Sequence, residues 1–408
     1  MPASIIPSVA AIPVADRVHG FTYAIRNIVA EAKKVEASGR TVKYLNIGDP
    51  IPFGFKTPPH LVEAVIKAVR DGQNGYGPSP GIQAAREAVA ADFTRRGVPT
   101  PADRVVLTAG TSEGIEIALN ALVNPGDEVL VPMPTYPLYT AVMAKIGAKT
   151  IYYHKDPRRD WMPDLDEIRS LITPRTRAIV VIDPNNPTGA IYPDQIRRGL
   201  LALADTHGFV LLADEVYDDL SYGTPAPPMA SLDVNAPVIS FGSLSKAYLA
   251  PGWRAGWMAI GASPRLGAVI AAIRKLADGR LCATVPMQYA ITAALTGDRS
   301  HQVKFRAALK KRADVTVARL RAIKGMTCVA PKGAFYAMPQ VALPPGRTDE
   351  DYVLALLREA GVLCVHGSGF GMPADQGFFR VVFLAEPEEL GRIYDTMAQF
   401  TAEYLARG

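Results

Sequence analysis

One lysine of this sequence follows an apolar run and stands among small hydroxyl residues. The segment SFGSLSKAYLAPGWRAGW places Ser243, Ser245 and Lys246 at the end of that run, with Arg254 eight residues further on. An amine at the end of a buried strand can form an imine with an aldehyde cofactor, while hydroxyl groups and a guanidinium bind a phosphate. The alternative is an ordinary solvated loop lysine, so the interpretation depends on the residues that accompany it.

A carboxylate and a phenol follow a second apolar run. In VLLADEVYDDL, Asp214 ends the run and Tyr217 comes three residues later. A carboxylate in that place can pair with a protonated pyridine nitrogen, and the phenol can hydrogen-bond a ring oxygen. The same aspartate could instead cap the helix that follows. The pair indicates a pyridine-containing cofactor without excluding a structural role.

A tight turn with two asparagines follows a third apolar run. The segment VVIDPNNPTGAIY places Asn186 between Asn185 and Pro187. Such a turn can direct an asparagine side chain toward the same ring oxygen. Asn-Pro and Gly residues form turns in many other proteins as well, so the turn alone does not indicate a site.

Two further strand ends carry groups that suit a phosphate and a flat ring. The segment LTAGTSEG runs from Gly110 through Thr111 and Ser112 into a predicted helix, whose free amides and dipole favour an anion. An ordinary helix cap gives the same pattern. Tyr136, in PMPTYP, can stack on a ring or belong to the core.

An arginine lies in an apolar run near the C-terminus. In GFFRVVF, Arg380 has phenylalanine and valine neighbours. A buried guanidinium needs a partner, and its planar fork suits a carboxylate through two hydrogen bonds. A substrate carboxylate and a structural ion pair with Asp or Glu both meet that need.

Short strand-like runs alternate with helical segments through the first three quarters of the chain. This alternation predicts a largely parallel, twisted sheet covered by helices, with functional residues where strands end. Residues 16–40 and 60–71 have the spacing of helices. From about residue 296 a long charged helix and mixed elements predict a smaller α+β domain. The strand-like runs are 104–110, 128–134, 177–183, 209–215, 237–243 and 255–261.

Length and composition favour a two-domain enzyme. A chain of 408 residues exceeds the size of one hydrophobic core. We expect an N-terminal arm with part of the small domain at 1–59, a large cofactor-binding domain at 60–295 and the C-terminal small domain at 296–408. The net charge of +5 comes from interspersed residues, so no nucleic-acid surface is indicated. The three cysteines have no disulfide or zinc spacing. Without a signal-like segment or a membrane-spanning run, we expect a cytoplasmic protein.

The motifs NPTG, ADEVY and SLSK, together with Arg254, resemble in order and spacing those of class I and II, fold-type I aminotransferases. The resemblance extends over nearly the whole chain. It implies a large domain with a mainly parallel seven-stranded sheet between helices, and a smaller α+β domain. It also implies that Lys246 carries pyridoxal phosphate as a Schiff base and moves the proton between the substrate Cα and the cofactor.

The resemblance assigns further cofactor contacts. Asp214 would hold the pyridine nitrogen, Tyr217 and Asn186 the ring oxygen O3′, and Tyr136 would stack on the ring. Tyr76, in NGYGPSPG, would reach the phosphate of a neighbouring subunit's cofactor, which implies a homodimer with shared active sites. The phosphate would be bound by Thr111, Ser112, Ser243, Ser245 and Arg254.

The resemblance also suggests the substrates. Arg380 would bind the α-carboxylate, helped by Asn186 and the backbone of Gly48. The stretches LNIGDPIPFGF, RLCATVPMQ and YAIR are most similar to those of bacterial alanine aminotransferases, which exchange amino groups between glutamate and pyruvate. Aspartate and aromatic amino acids remain alternatives. A dicarboxylate needs a second cation, for which Arg26, beside Tyr23, and Arg280 are candidates.

Two other functions are compatible with parts of the pattern. A C–S lyase or an aminocyclopropanecarboxylate synthase shares the lysine and the phosphate residues. A ligand-sensing regulator with an aminotransferase-like domain needs a DNA-binding winged helix, for which the roughly 15 residues before the predicted helical arm at 16–40 leave little room. We expect transamination.

Overall fold

The computed structural model describes residues 12, 14–18 and 24–407, apart from the side chains of residues 16 and 24–27. Helices and strands alternate over much of this part of the chain. The α-helices are α1 (Ala24–Ala37), α2 (Pro59–Arg70), α3 (Gln83–Arg95), α4 (Thr111–Leu122), α5 (Pro137–Ile146), α6 (Leu165–Leu171), α7 (Asp194–His207), α8 (Gly267–Gly279), α9 (Val285–Thr296), α10 (Ser300–Ala322), α11 (Asp349–Ala360) and α12 (Pro387–Ala406). The strands are β1 (Lys43–Tyr44), β2 (Val105–Thr108), β3 (Glu128–Met133), β4 (Lys149–Asp156), β5 (Met162–Pro163), β6 (Thr176–Ile182), β7 (Val210–Asp214), β8 (Val238–Ser243), β9 (Gly256–Ile260), β10 (Met326–Thr327), β11 (Tyr336–Ala337), β12 (Gln340–Val341), β13 (Val362–Leu363), β14 (Val365–His366) and β15 (Phe379–Val382).

A large mixed sheet forms the centre of the molecule. Its strand order is β2-β9-β8-β7-β6-β3-β4-β5. Strands β8, β7, β6, β3 and β4 pair in parallel, whereas β9 is antiparallel to both β2 and β8, and β5 is antiparallel to β4. The sheet is therefore mainly parallel, as the sequence predicts.

Side chains of the central strands are buried on both faces of the sheet. In β6, Ile179 and Val181 belong to one apolar cluster, and Val180 and Ile182 belong to another. Successive side chains of a strand point to opposite faces, so the two clusters lie on opposite sides of the sheet. Helix-covered parallel sheets bury both faces in this way. Burial on both faces explains why these strand sequences are uniformly apolar and do not alternate between apolar and polar residues.

The parallel strands end at one edge of the sheet. Thr108 ends β2, Ile182 ends β6, Asp214 ends β7 and Ser243 ends β8. Because these four strands run in the same direction, the loops that follow them meet at that edge, where ligands bind in α/β sheets. The residues with predicted chemistry stand at or just after these ends.

The C-terminal elements form a second, smaller group. Strands β11, β15 and β14 make an antiparallel sheet, and α10 and α11 pack against α12. Strand β1 pairs in parallel with β13. The segment before α2 thus contacts the C-terminal elements, whereas the domain boundaries themselves remain predictions.

Most predicted elements are present, with three differences. All six predicted strands occur within two residues of the expected limits. The central sheet has eight strands in the described part of the chain, because the two-residue β5 extends the expected seven. The prediction missed β4, whose sequence KTIYYHKD has charged residues at both ends. The helix expected over 16–40 ends earlier, because α1 ends at Ala37.

The described residues contain neither a membrane-spanning helix nor a group of possible metal ligands. No helix there has the length and apolar character needed to cross a membrane. In the same part of the chain, no three His, Cys, Asp or Glu side chains are grouped so that they could hold a metal ion.

Gly256 allows β9 to approach the beginning of α4. A Cβ atom at Gly256 would lie 2.8 Å from the carbonyl carbon of Gly110 and 2.9 Å from the amide nitrogen of Thr111. Since both are backbone atoms, they can move away only if the strand and the helix separate. The close contact therefore requires glycine.

We expect Gly256→Ala to destabilise the protein by about 1–3 kcal/mol, the usual cost of overpacking. The free energy of unfolding in urea measures this. A Cβ atom at Gly252 would meet no atom within 4 Å, so Gly252→Ala should change stability by less than about 0.5 kcal/mol. Equal stabilities of the two variants would contradict the argument.

Candidate active site

A cleft of about 950 Å³ opens at the edge where the parallel strands end. It brings together residues from the large sheet, from the segment before α2 and from the C-terminal strands. The apolar side chains Ile115, Ile182 and Val216 form part of its wall. The predicted site residues that line the cleft are Gly48, Thr111, Ser112, Tyr136, Asn186, Asp214, Tyr217, Ser243, Ser245, Lys246, Arg254 and Arg380.

Lys246 follows β8 and is half-buried. Its Nζ donates a hydrogen bond to the carbonyl oxygen of Gly48 at 2.8 Å. The same Nζ lies 5.9 Å from the ring centre of Tyr217 and 5.6 Å from that of Phe335. The amine is therefore held inside the cleft between aromatic rings, unlike a solvated loop lysine.

Asp214 is a buried carboxyl group at the end of β7, with 4% of its surface exposed. Its Oδ2 accepts a hydrogen bond from the Tyr139 hydroxyl at 3.0 Å. Its Oδ1 is buried and makes no hydrogen bond to the described residues. Burial raises the pKa of Asp214 to about 6, against the effect of the Tyr139 hydrogen bond, which lowers it. A cationic partner at Oδ1 would favour the charged form.

Tyr217 and Tyr336 form a hydroxyl pair beside Lys246. Their hydroxyl oxygens are 3.0 Å apart, and their rings meet edge to face with centroids separated by 5.6 Å. Burial, and then the neighbouring Tyr336, raise the pKa of Tyr217 well above its ordinary value. Tyr217 therefore remains a protonated hydrogen-bond donor.

Gly48 leaves room for this pair. A Cβ atom there would collide with the Tyr336 hydroxyl oxygen and would lie 2.7 Å from Cε2 of Phe335. Any larger residue would displace the rings that surround Lys246.

Hydroxyl, amide and guanidinium groups gather at the N-terminus of α4. The N-cap residue is Gly110, which has no side chain to bond the first amides. Arg254 directs Nη1 toward the Ser245 hydroxyl at 3.5 Å and Nη2 toward the carbonyl oxygen of Ala109 at 3.4 Å. Ser243 Oγ accepts a hydrogen bond from the Ser245 amide at 3.2 Å. The group has the composition of a phosphate site.

Arg380 is a fully buried arginine on β15. Its Nη1 donates to Asn186 Oδ1 at 3.0 Å and its Nη2 to the carbonyl oxygen of Asn46 at 2.5 Å. The guanidinium carbon lies 4.7 Å from the ring centres of both Tyr336 and Phe370. These contacts fix the plane of the guanidinium at the cleft, where a carboxylate could bind.

Of the four other candidates, Tyr76 and Arg280 do not line the cleft. Tyr76 is 87% exposed in the single chain. Tyr23 and the side chain of Arg26 lie outside the described residues. Arg280 pairs with Glu113 at 3.0 Å and donates to the carbonyl oxygens of Ser79 and Leu107, so its guanidinium is bound by other groups of the same chain.

Sequence reasoning missed Tyr139 and Tyr336. The hydroxyl of Tyr139 meets a carboxylate 75 residues away in the sequence, and Tyr336 meets a residue 119 positions away. Neither lies in a motif. For Tyr139 the sequence offers one indication, because it follows Tyr136 by three residues, and side chains at this spacing are neighbours on a helix.

A sequence model described as "Aminotransferase class I and II" matches residues 41–396. The chain belongs to this family. Class I and II aminotransferases use pyridoxal phosphate. The expected fold class and enzyme class are thereby confirmed for this aminotransferase, while the roles of its individual residues remain predictions.

Relatives and solved structures agree with the family. The aminotransferase is 36% identical to the glutamate-pyruvate aminotransferase AlaA of Haemophilus influenzae, over 96% of this chain and 98% of that protein. It is 39% identical to the alanine aminotransferase of Mycobacterium tuberculosis, over 94% and 91%. The structure of the alanine aminotransferase from Pyrococcus furiosus superimposes with a TM-score of 0.93 at 40% identity, covering 96% of this chain and all of that one.

The raised pKa of Asp214 makes stability depend on pH. Without a cationic partner its pKa is about 6 in the folded protein, against an ordinary 3.8, so the folded state binds the proton more tightly. Protonated Asp214 therefore adds to the free energy of unfolding. Its contribution is complete below the ordinary pKa and is lost as pH rises through about 6. Relative to Asp214→Asn, which lacks it, the unfolding free energy of the parent should fall by about 2–3 kcal/mol from about pH 4 to about pH 7.

Urea unfolding of both proteins, purified without pyridoxal phosphate, checks this difference. Tyr139→Phe removes the donor to Oδ2 and should move the fall to higher pH. A difference between parent and Asp214→Asn that is constant, or that grows with pH, would show that Asp214 is not protonated in the folded state.

Proposed function

We propose that this aminotransferase binds pyridoxal phosphate in the cleft and exchanges amino groups between alanine and 2-oxoglutarate, or glutamate and pyruvate, in two half-reactions. The observation that carries the proposal is the convergence of Lys246, Asp214 and Arg380 on one cleft, from three distant parts of the chain. An amine, a buried carboxylate and a buried guanidinium are the groups that this reaction needs.

Three features of the cleft fit pyridoxal phosphate. The buried Oδ1 of Asp214 has no hydrogen bond to the described residues, and a protonated ring nitrogen would supply one. Lys246 offers a primary amine for the aldehyde. The uncapped start of α4, with the Arg254 guanidinium close to Gly110, suits the phosphate.

The residues of the chain would divide the chemistry between them. When bound, pyridoxal phosphate supplies an aldehyde carbon for the amino group and a ring that takes up the electrons released at the substrate Cα. The Lys246 amine would take the proton from that Cα. Asp214, as a carboxylate, would hold the proton on the ring nitrogen, and Tyr217 would donate a hydrogen bond to the ring oxygen. Tyr136 would stack on the ring.

The substrate carboxylate would bind to Arg380. Its guanidinium is already oriented by Asn186 and by two aromatic rings, so little side-chain freedom is lost on binding. Lys246 donates to the carbonyl of Gly48 and Arg380 to the carbonyl of Asn46, so the amine and the guanidinium contact the same short segment, which supports the proposal.

Selectivity for a small side chain would follow from the charges of the cleft. Among the described residues that line it, the cationic side chains are Lys246, Arg254 and Arg380. The proposed roles use all three, and Ile47 and Leu138 contribute apolar wall, which suits the methyl group of alanine. The names of the relatives support alanine, glutamate and pyruvate as substrates. For the second carboxylate of glutamate we propose Arg26, beside Tyr23.

We also propose a homodimer. Tyr76 is a large aromatic residue exposed at 87%, and in a dimer it would reach the phosphate bound by the other subunit. A cytoplasmic location remains a prediction of the sequence.

The first experiment follows the absorbance of the protein loaded with pyridoxal phosphate. Addition of L-alanine should convert the visible cofactor band to the band of the aminated form, and pyruvate should restore it. Lys246→Ala should slow this conversion by at least about 100-fold, because it loses the proton-transferring amine. A band that no amino acid converts would overturn transamination, and ammonia or a thiol among the products would instead indicate a lyase.

A second experiment tests Arg26. Arg26→Ala should lower kcat/KM for L-glutamate by about 10- to 100-fold, because one charge-assisted contact to the side-chain carboxylate is lost. The value for L-alanine should change by less than about threefold. Arg17→Ala, at an exposed arginine of the same segment, is the matched control. Equal losses for both amino acids would refute the role of Arg26.

A further inference from the structure

Lys155 is a buried lysine outside the cleft. It lies near the end of β4, with 3% of its surface exposed. Its Nζ donates a hydrogen bond to the side-chain oxygen of Asn185 at 2.7 Å. The proposed reaction makes no use of this amine, although a buried lysine is rare.

Burial of this amine is unfavourable. Desolvation lowers the pKa of Lys155 well below its ordinary value, and the nearby Asp183 opposes that effect only in part. The group that Lys155 binds is a neutral amide rather than a carboxylate. An apolar residue of similar length would avoid the cost of desolvation, so the hydrogen bond to Asn185 is the feature that the lysine supplies.

Asn185 in turn fixes the Asn-Pro turn. Its Oδ1 accepts hydrogen bonds from the Thr188 hydroxyl at 2.8 Å and the Thr188 amide at 3.3 Å, besides Lys155. Its Nδ2 donates to the carbonyl oxygen of Ile182 at 3.1 Å. All of these groups are buried, so the orientation of the amide is determined by the whole set of contacts.

The next residue of the turn is Asn186, which contacts the cleft. Its Oδ1 accepts the hydrogen bond from Arg380, and Arg380 also binds the carbonyl oxygen of Asn46. A shift of the turn would therefore move the acceptor that sets the plane of the Arg380 guanidinium. A bidentate contact to a carboxylate depends on that plane.

We propose that Lys155 is a positioning residue for the substrate carboxylate, acting through Asn185 on the Asn186–Arg380 contact. This inference rests on the proposed binding of the carboxylate by Arg380. Lys155 touches neither substrate nor cofactor. Its removal should weaken the binding of every amino acid and 2-oxo acid alike, because all of them share the carboxylate.

The test compares three variants of the enzyme loaded with pyridoxal phosphate. Lys155→Met keeps the length and removes the donor, Lys155→Gln restores an amide donor, and Lys149→Met removes an exposed lysine of the same strand. We expect Lys155→Met to raise KM for L-alanine and for pyruvate by about tenfold, the equivalent of one hydrogen bond. The kcat value, the affinity for pyridoxal phosphate and the parameters of Lys149→Met should change by less than about threefold. Lys155→Gln should recover at least half of the loss in KM.

A binding measurement separates this inference from the proposed function. Calorimetric titration of the loaded enzyme with propionate reports carboxylate binding without any reaction. A parent that binds propionate but does not transaminate, with weaker binding in Lys155→Met, would overturn the proposed function and leave the role of Lys155 intact. Unchanged KM and propionate affinity in Lys155→Met, with a changed unfolding midpoint alone, would make Lys155 purely structural.

If Lys155→Met does not fold, Thr188→Val tests the same contact, since it removes the hydroxyl donor to the same oxygen of Asn185. A parallel rise in KM for L-alanine and pyruvate would support the proposal, and an unchanged KM would overturn it.

Discussion

The buried carboxyl group of Asp214 is the constraint on which the rest of the site depends. A carboxylate at the end of a central strand is costly unless it is hydrogen-bonded or paired with a cation. Tyr139 donates a hydrogen bond to Oδ2, whereas the buried Oδ1 has no hydrogen bond to the described residues. The large sheet thereby holds a carboxyl group whose charged form needs a cationic partner, and the amine, hydroxyl and guanidinium groups line the same cleft.

The surrounding elements hold these groups by contacts that leave little freedom. Gly256 lets β9 approach the start of α4 and pairs with Ser243 of β8, so the start of α4 and Ser243 are held close together in the candidate phosphate site. Gly48 allows two aromatic rings to close over Lys246. Arg380 is oriented by an amide, a carbonyl and two rings. Such pre-organisation transfers the entropic cost of positioning from each catalytic cycle to folding.

The sequence predicted the structure best where a local condition, such as burial of a strand on both faces, selects one type of residue. The apolar runs of β6, β7 and β8 are buried on both faces, so their strands could be predicted, and so could the residues at their ends. The edge strand β5 has only two residues, too few to show a periodic pattern, and pairs with the neighbouring β4. The antiparallel direction of β9 depends on pairing with the distant β2, which periodicity does not encode. Tyr139 and Tyr336 were missed for the same reason. Arg280 has the right charge for a second carboxylate, but its partners within the chain could not be foreseen from its neighbours.

The position of Arg280 limits how such a protein can change its preferences. Glu113 and two backbone carbonyls hold its guanidinium. Redirecting it toward a ligand would remove the hydrogen bonds to the carbonyl oxygens of Ser79 and Leu107 and would leave Glu113 with the Ala109 amide as its donor. Each lost hydrogen bond to a buried acceptor costs on the order of 1–3 kcal/mol. A lineage that acquires a new side-chain preference on this scaffold would therefore alter other positions first. At Arg280 itself, a new ligand would have to compensate for the contacts that the guanidinium now makes within the fold.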